Sequence, residues 1–376
     1  MKIPFNKPSI VGDEFQNIKD AITEMHISGD GKYTKKSQEL LENLLKVPKV
    51  LLTTSCTHAL EMAAMLLNVG EGDEVVLPSF TYVSVCNAFV LRGAIPKFID
   101  IRPDTLNMDE KKLVSLISPR TKCIVPVHYA GVGCEMETII QIGKESGTQI
   151  VEDNAHGLFG KYCQKPLGTF GSLGALSFHE TKNFTCGEGG ALLINDPQMI
   201  ERAEIIREKG TNRTQFFKGR VDKYTWLDYG SSYLPSDILA AFLYAQLESR
   251  VKIQNLRKNV WTFYHEELKD WAKSLGIGLP KIPEHCDHPY HSYYLIMNSN
   301  EERQALIKYL ESHEIQSVFH YLPLHLSPMG RKYGGKNGDC PVTEDLSKRL
   351  LRLPFYNELS QSQLSYVTSK IKGFRS

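Results

Sequence analysis

The stretch Lys49-Val50-Leu51-Leu52-Thr53-Thr54-Ser55-Cys56-Thr57-His58 decides the fold class of this chain. Its first five residues are a short, β-rich apolar run, and its hydroxyl-rich second half leads directly into a helical pattern. In that pattern the apolar residues are spaced i, i+3, i+4 and i+7, at Leu60, Ala63, Ala64 and Leu67. A strand followed at once by an amphipathic helix opens a βαβ unit, so the stretch predicts an α/β protein.

The same alternation continues through the N-terminal half of the chain. Six more β-rich runs follow, and helical patterns separate several of them. These runs span residues 74–77, 97–101, 122–128, 148–152, 175–178 and 191–194. Strands that alternate with helices indicate a mostly parallel sheet with helices on both faces. Together with the first run, they predict a sheet of seven strands.

The pattern changes after Ser236. Residues 237–260 predict one long helix that is rich in Ala, Leu and Gln. Strand and helix signals beyond it are few, and they lie at residues 292–297, 301–312, 316–320 and 343–351. We therefore predict a large domain of residues 1–245 and a smaller α+β C-terminal domain of residues 246–376.

Charge and composition exclude several classes of protein. The 376 residues hold 44 Lys and Arg against 43 Asp and Glu, which argues against gripping nucleic acid or an anionic membrane as the main task. No apolar run approaches the roughly 20 residues of a membrane span, and the N-terminus has no apolar signal region. The eight cysteines contain no CxxC pair, so we expect reduced thiols, no metal and a cytoplasmic location.

Ligands of open parallel sheets bind beyond the carboxyl ends of the strands, so the residues after each run are candidates for a site. Residues 54–58 place hydroxyls and free N–H groups at a helix N-terminus, where they form either a phosphate site or an ordinary cap. Asp153 follows the run 148–152 and is a metal ligand, a base, the counter-ion of a protonated ring nitrogen, or a helix cap.

Lys182 lies between a strand and the glycine-rich turn Gly187-Glu188-Gly189-Gly190. A lysine placed there becomes nucleophilic if it loses contact with water, although most lysines are solvated surface charges. A lysine, an aspartate and a helix N-terminus at one sheet edge are what pyridoxal phosphate needs. The lysine holds its aldehyde as a Schiff base, the aspartate keeps its ring nitrogen protonated, and the helix holds its phosphate.

Several motifs resemble the sugar-nucleotide aminotransferases, a branch of the fold-type-I pyridoxal-phosphate enzymes. The segment 177–183 with the glycines after it resembles their lysine motif, and 152–156 resembles their ring-nitrogen motif. Residues 78–83 resemble the segment whose aromatic side chain stacks on the cofactor. The resemblance runs to the far end of the chain, at 321–325 and 353–356.

A narrower resemblance is to the dTDP-4-amino-4,6-dideoxygalactose transaminases of enterobacterial common antigen synthesis. The residues that carry it are 29–31, 55–57, 126–132, 207–213 and 230–234. It implies that L-glutamate gives its amino group to the 4-keto carbon of dTDP-4-keto-6-deoxy-D-glucose, in lipopolysaccharide or O-antigen biosynthesis. The gluco epimer, or reaction at carbon 3, is the alternative. The resemblance also implies a homodimer whose active sites are shared across the interface.

The resemblance assigns roles to individual residues. Lys182 and Asp153 are the catalytic pair, and Lys182 also moves the proton between the donor and the cofactor. The other cofactor-binding residues are Cys56, Thr57, Tyr82, His156, Ser177 and Ser232. Most of the family has asparagine at the position of Ser232, where it reaches the cofactor phosphate of the other subunit.

The substrate-binding residues are Gly29, Asp30, Lys209, Arg213, Lys218, Arg220, Tyr321 and His325. Four of them lie in the basic segment, residues 207–223, which holds six basic residues against two acids. A charge run is usually a solvated face, but here aromatic residues are interleaved with it, which favours a loop that faces the nucleotide.

Three rival functions are compatible with an α/β chain. A nicotinamide oxidoreductase needs a G-x-G-x-x-G turn after the first strand, where Ser55-Cys56-Thr57-His58 stands instead. A dehydratase of the same superfamily carries histidine in place of Lys182. A non-enzymatic regulator that keeps the cofactor fold does not need an intact Asp153 and Lys182 pair.

Overall fold

The computed structural model describes residues 2–375. The strands of this part of the chain are β1 Lys49–Thr53, β2 Glu74–Pro78, β3 Ile95–Ile99, β4 Thr121–Ile124, β5 Gln149–Asp153, β6 Lys161–Tyr162, β7 Lys165–Pro166, β8 Leu173–Ser177, β9 Gly190–Ile194, β10 Cys286–Asp287, β11 Tyr294–Ile296 and β12 Leu350–Arg352. The α-helices are α1 Glu14–Thr23, α2 Lys32–Leu45, α3 Cys56–Leu66, α4 Val83–Val90, α5 Met136–Ser146, α6 Ile200–Arg207, α7 Arg213–Phe217, α8 Asp237–Glu248, α9 Arg250–Leu275, α10 Asn300–Ser312, α11 Pro328–Lys332, α12 Pro341–Arg349 and α13 Gln361–Gly373.

Seven of the strands form one sheet in the order β1-β9-β8-β5-β4-β2-β3. The strands from β8 to β3 run parallel to one another, and β9 is antiparallel to both of its neighbours. Each of the seven predicted runs overlaps one of these strands. The prediction of an α/β fold with a mostly parallel, seven-stranded sheet is therefore confirmed.

Helices cover both faces of this sheet, as the apolar residues of β9 illustrate. Leu192 and Ile194 pack into a core on one face, while Ala191 and Leu193 pack into a second core on the other face. Successive side chains of a strand point to opposite faces, so a strand that is apolar throughout is buried on both sides. This explains why the runs read as continuous apolar stretches rather than as alternating ones.

The carboxyl ends of three strands meet at one edge of the sheet. Thr53 of β1 and Ser177 of β8 both pair with Gly190, the first residue of β9, and Asp153 of β5 is the last residue of its strand. Gly190 is needed there because a Cβ atom at this position would collide with the backbone between Ser55 and Cys56. The glycine lets the start of α3 lie directly against the sheet edge.

The C-terminal part of the chain has a core of its own around α9, α10 and α13. The fully buried Ile3 from the other end of the chain packs into this core, and its backbone pairs with Ile315. Strands β11 and β12 form a two-stranded sheet, and β10 joins β6 and β7 in a three-stranded one. The predicted limit after residue 245 falls inside α8, and the division into two domains stays a prediction.

Two expectations for this part of the chain are wrong in detail. The helix predicted over 237–260 is interrupted at Ser249, whose ψ of 10° departs from helical geometry where Gly12 packs against it. The strand predicted over 316–320 is only a single bridge, in which Val318 exchanges both backbone hydrogen bonds with Arg352. The residues after Val318 turn away towards a cavity instead of extending the ladder.

Two further observations concern cysteines and membranes. All eight cysteines are free thiols. Within residues 2–375, no helix is both long enough and apolar enough to cross a membrane.

Candidate active site

A cavity of about 570 Å³ opens at the edge of the sheet where β1, β5 and β8 end. Its walls come from the loop after β8, the start of α3, the loop before α4, and two distant segments near the ends of the chain. The cavity brings together eight of the predicted site residues: Cys56, Thr57, Tyr82, Asp153, His156, Ser177, Lys182 and Tyr321.

Lys182 has the environment of a reactive amine. Burial lowers its pKa from the usual 10.5 to about 8, and the nearby carboxylate of Asp153 partly opposes this shift. Its Nζ atom has no hydrogen-bond partner within residues 2–375, whereas its backbone N–H donates to His179 and holds the loop in a turn. The amine is therefore free to react with a bound molecule.

Asp153 is buried and faces the same cavity. One carboxylate oxygen accepts a hydrogen bond from the backbone N–H of Ala155 at 2.9 Å, and the other has no partner among the described residues. Burial raises the pKa of this carboxyl group, while the Ala155 N–H and the charge of Lys182 act in the opposite direction. A buried carboxylate with a free oxygen is well placed to pair with a protonated nitrogen.

Glu152 fixes the end of β5 from the opposite side of the sheet. Its fully buried carboxylate accepts hydrogen bonds from the backbone N–H groups of Gly168, Phe170 and Gly171. His128 Nε2 lies 2.9 Å from the same carboxylate. Because neighbouring side chains of a strand point to opposite faces, this anchoring turns Asp153 towards the cavity.

The start of α3 offers an anion site. Ser55 caps the helix by accepting from the His58 N–H at 3.1 Å, which leaves the N–H groups of Cys56 and Thr57 without a partner within the described residues. The hydroxyl of Ser177 is likewise free and lies on the same cavity wall. Burial raises the pKa of the Cys56 thiol well above its usual value, so the thiol stays neutral beside an anion.

Aromatic rings line the sides of the cavity. Tyr82 is 60% exposed, and its ring centroid lies 6.3 Å from that of Tyr321. His156 stacks on His291 with ring centroids 4.1 Å apart, and its Nδ1 accepts from the Ala130 backbone N–H. Tyr82 and His156 therefore present flat surfaces to a bound ring, although His156 is also satisfied by the backbone.

Several residues that line this cavity were not predicted from the sequence. They are Phe5, Asn6, His291, His320 and Arg352. Each comes from a segment without a local motif of its own, and long-range contacts bring it to the site. Two adjacent signals exist: the 353–356 segment begins one residue after Arg352, and the 321–325 segment begins one residue after His320.

The other predicted substrate residues lie outside the cavity of their own chain. His325 is fully buried, with Nδ1 2.6 Å from the Ser79 hydroxyl and Nε2 3.0 Å from Glu344. Asp30 is paired with the buried Arg207, and Gly29 packs against Leu234. These partners occupy the polar groups of His325 and Asp30 within the fold.

The predicted residues of the basic segment also lie outside the cavity, and they are exposed. Lys209 and Arg213 pair with Glu208, and Lys218 pairs with Glu204. The side chain of Arg220 has no ion pair or hydrogen bond within the part of the chain described. Ser232 is exposed as well, on the strand-like bridge to Glu208.

The cavity fits pyridoxal phosphate on its own geometry. The free N–H groups of Cys56 and Thr57 and the Ser177 hydroxyl suit the phosphate, Asp153 suits the ring nitrogen, and Lys182 suits the aldehyde. Comparison with known proteins agrees. A family model described as the DegT/DnrJ/EryC1/StrS aminotransferase family matches residues 8–372.

The chain belongs to the DegT/DnrJ/EryC1/StrS aminotransferase family. It is 29% identical to GDP-perosamine synthase of Escherichia coli O157:H7, over 100% of this chain and 99% of the relative. It is 28% identical to the spore coat polysaccharide biosynthesis protein SpsC of Bacillus subtilis, over 98% of this chain and 96% of the relative.

Solved structures of other proteins have the same fold. The aminotransferase TlmJ from Streptoalloteichus hindustanus superposes with a TM-score of 0.91 at 28% identity, covering 99% of this chain and 98% of that one. Spr1654 of Streptococcus pneumoniae, named as a sugar aminotransferase, gives 0.91 in its pyridoxal-phosphate form, with 28% identity and the same coverage. The pyridoxal phosphate prediction is confirmed for this DegT/DnrJ/EryC1/StrS aminotransferase, and so is the coarser prediction of a sugar aminotransferase.

Proposed function

We propose that the enzyme transfers the amino group of L-glutamate to the 4-keto carbon of dTDP-4-keto-6-deoxy-D-glucose, giving dTDP-4-amino-4,6-dideoxy-D-galactose. The observation that carries the reaction class is the buried Lys182 amine beside the Asp153 carboxylate, in the same cavity as the start of α3, where the N–H groups of Cys56 and Thr57 have no partner among the described residues. The motifs around residues 29–31 and 207–213 carry the choice of sugar nucleotide. The relatives named GDP-perosamine synthase favour a GDP-linked sugar as the second candidate.

Each residue of the cavity has its own role in the proposed reaction. Cys56, Thr57 and Ser177 hold the phosphate, and Asp153 keeps the ring nitrogen protonated. Pyridoxal phosphate, when bound, carries the amino group between the substrates and withdraws electrons from the reacting carbon. Lys182 Nζ takes the proton from the α carbon of the donor and later delivers a proton to carbon 4 of the sugar. Its lowered pKa suits both steps, because the amine changes charge near neutral pH.

The diphosphate of the sugar nucleotide needs positively charged partners, and the cavity of a single chain offers few of them. Lys182 and Arg352 are the only Lys or Arg side chains that line the cavity within the described residues. We therefore propose a homodimer in which the basic segment of one subunit reaches the cavity of the other. Ser232 then lies against the partner's cofactor phosphate, where its hydroxyl takes the place of the asparagine amide.

The surface around the cavity mouth supports this dimer. Tyr82, at the mouth, is followed by α4 and by the exposed Leu91. The guanidinium of Arg92 lies 5.7 Å from the centre of the exposed Tyr229 ring, which connects this surface to the chain six residues after the basic segment. Exposed apolar side chains that are continuous with a site mark an interaction surface.

Product analysis tests the proposed reaction. The holoenzyme is incubated with L-glutamate and one acceptor, either dTDP-4-keto-6-deoxyglucose or a GDP-linked 4-keto-6-deoxy sugar. The products of the two incubations are assigned by NMR coupling constants. We expect turnover of the dTDP sugar and an axial amine at carbon 4. An equatorial amine supports the gluco alternative, and preference for the GDP sugar refutes the proposed nucleotide.

Arg220→Ala tests the proposed role of the basic segment, because Arg220 has no acidic partner among the described residues that would mask its charge. Loss of one charge-assisted bond to a phosphate weakens dTDP binding by roughly ten- to a hundred-fold. The KM for glutamate should not change. Lys144→Ala, an exposed cation on α5, is the matched control. Unchanged dTDP binding in Arg220→Ala and in the matching Arg213 and Lys218 variants would show that the segment is a solvated face.

A further inference from the structure

Arg352 is a positively charged residue of the cavity wall that has no negatively charged partner among the described residues. It is the last residue of β12, and its guanidinium lies over the ring of Phe5 at 4.7 Å from the ring centre. Its buried Nε has no hydrogen-bond partner, and within residues 2–375 no carboxylate pairs with the side chain. Its backbone N–H and carbonyl are both hydrogen-bonded to Val318 on one side, and it pairs with Tyr294 of β11 on the other, so the strand fixes where the side chain begins.

The groups around Arg352 do not neutralise it. Burial lowers the pKa values of His156, His291 and His320 well below their usual value, so these rings are uncharged. Burial also lowers the pKa of Arg352, while the phenols of Tyr129 and Tyr321 act against that shift. Asp153, the buried acid of the cavity, already has Lys182 beside it. A half-buried guanidinium that has no counter-charge and whose Nε has no partner is costly, and an anionic ligand lowers that cost.

We propose that Arg352 binds a carboxylate of the amino donor, and so selects an amino acid over a simple amine. This rests on the proposed transfer from glutamate. The α-carboxylate of an amino acid is attached to the same carbon that loses its proton to Lys182. Arg352 lines the same cavity as Lys182 and is therefore placed for that carboxylate. The fork of donors on a guanidinium matches a carboxylate with two parallel hydrogen bonds.

The diphosphate of the acceptor is the competing ligand for Arg352. In a 4-keto sugar nucleotide the diphosphate is on carbon 1, and the width of the pyranose ring separates it from the reacting carbon. An anion so far from the reaction cannot stay beside the lysine while carbon 4 reacts there. The geometry therefore favours the donor carboxylate.

The test compares Arg352→Gln and Arg352→Lys with wild-type holoenzyme. Glutarate, which has the two carboxylates of glutamate but no amine, is titrated by calorimetry, and dTDP is titrated in parallel. The rate of the amino-donor half-reaction is measured by absorbance with L-glutamate and with isopropylamine, which has no carboxylate. The matched control is Arg349→Gln, because Arg349 lies three residues before Arg352 and is paired with Asp345.

We expect Arg352→Gln to weaken glutarate binding by ten- to a hundred-fold, as the loss of charge-assisted bonds predicts. The glutamate half-reaction should slow by a similar factor, through its KM, and the isopropylamine rate should not change. Arg352→Lys should recover part of the loss, because it keeps the charge but not the fork. An equal loss with both amines would show that Arg352 merely supports the fold.

Weaker dTDP binding with unchanged glutarate binding would assign Arg352 to the diphosphate and overturn the proposal. Failure of wild-type enzyme to bind glutarate would also overturn it. The donor half-reaction needs no sugar, so its result stands whichever sugar nucleotide is accepted. A wrong acceptor in the proposed function is thereby distinguished from a wrong role for Arg352.

Discussion

The nucleophilic fraction of Lys182 is the quantity that the structure predicts most directly. Burial brings its pKa to about 8, against the usual 10.5. At pH 7.5 about a quarter of such amines are neutral, compared with about one in a thousand for a solvated lysine. The cavity therefore raises the reactive fraction by roughly 200-fold. Asp153 acts against burial, since its negative charge stabilises the ammonium form. The variant Asp153→Asn should consequently shift the titration midpoint of Lys182 to a pH below 8.

NMR measures this titration in the cofactor-free protein after reductive methylation with ¹³C-formaldehyde. The Lys182 signal is the one missing from Lys182→Arg, and its chemical shift is followed from about pH 6 to 11. Glu188→Gln is the matched control, because it removes a carboxylate from the cavity wall without removing one of the charges that act on Lys182. A midpoint close to 10.5 in the wild type, or a higher midpoint in Asp153→Asn, would refute the account of burial and charge.

Two further predictions concern stability. Gly190→Ala should lower the free energy of unfolding by about 1–3 kcal/mol, because the added Cβ collides with backbone at the start of α3. Gly70→Ala, where a Cβ meets open space, should change it by less than about 0.5 kcal/mol. Asp237→Ala should cost about 2–4 kcal/mol, because this buried carboxylate accepts from the Tyr33 and Thr34 N–H groups at the start of α2. Urea denaturation measures all three, and a loss in Gly70→Ala equal to that in Gly190→Ala, or a neutral Asp237→Ala, contradicts the reasoning.

The sequence predicted the sheet and its reactive edge because both depend on local pattern. Each strand buried on both faces is a continuous apolar run, and parallel strands bring their carboxyl ends together. Asp153, directly after one run, and Lys182, four residues after another, are therefore found by reading along the chain. Ser177 lies inside its run, and only the family resemblance assigned it to the phosphate.

The opposite wall of the cavity was not predictable by the same means. Arg352 and Phe5 lie near opposite ends of the chain, and only the packing of the C-terminal core brings them together. The basic segment is the opposite case, because the sequence drew attention to residues that lie outside the cavity. Its charge was conspicuous in the sequence, yet Lys209, Arg213 and Lys218 have acidic partners nearby and lie outside the cavity of their own chain. Charge density in a sequence does not reveal how much of the charge is already balanced.

The contact between the two ends of the chain also sets an order of events during synthesis. The carbonyl of Phe5 accepts from the N–H of Phe355, and Ile3 pairs with Ile315. The ribosome must extrude the chain as far as Phe355 before both pairs can form, although Asp153 and Lys182 emerge much earlier. Lys182 has therefore left the ribosome at a stage when the cavity wall that contains Arg352 has not yet formed. We expect the nascent chain to bind pyridoxal phosphate stably only after β12 has been translated.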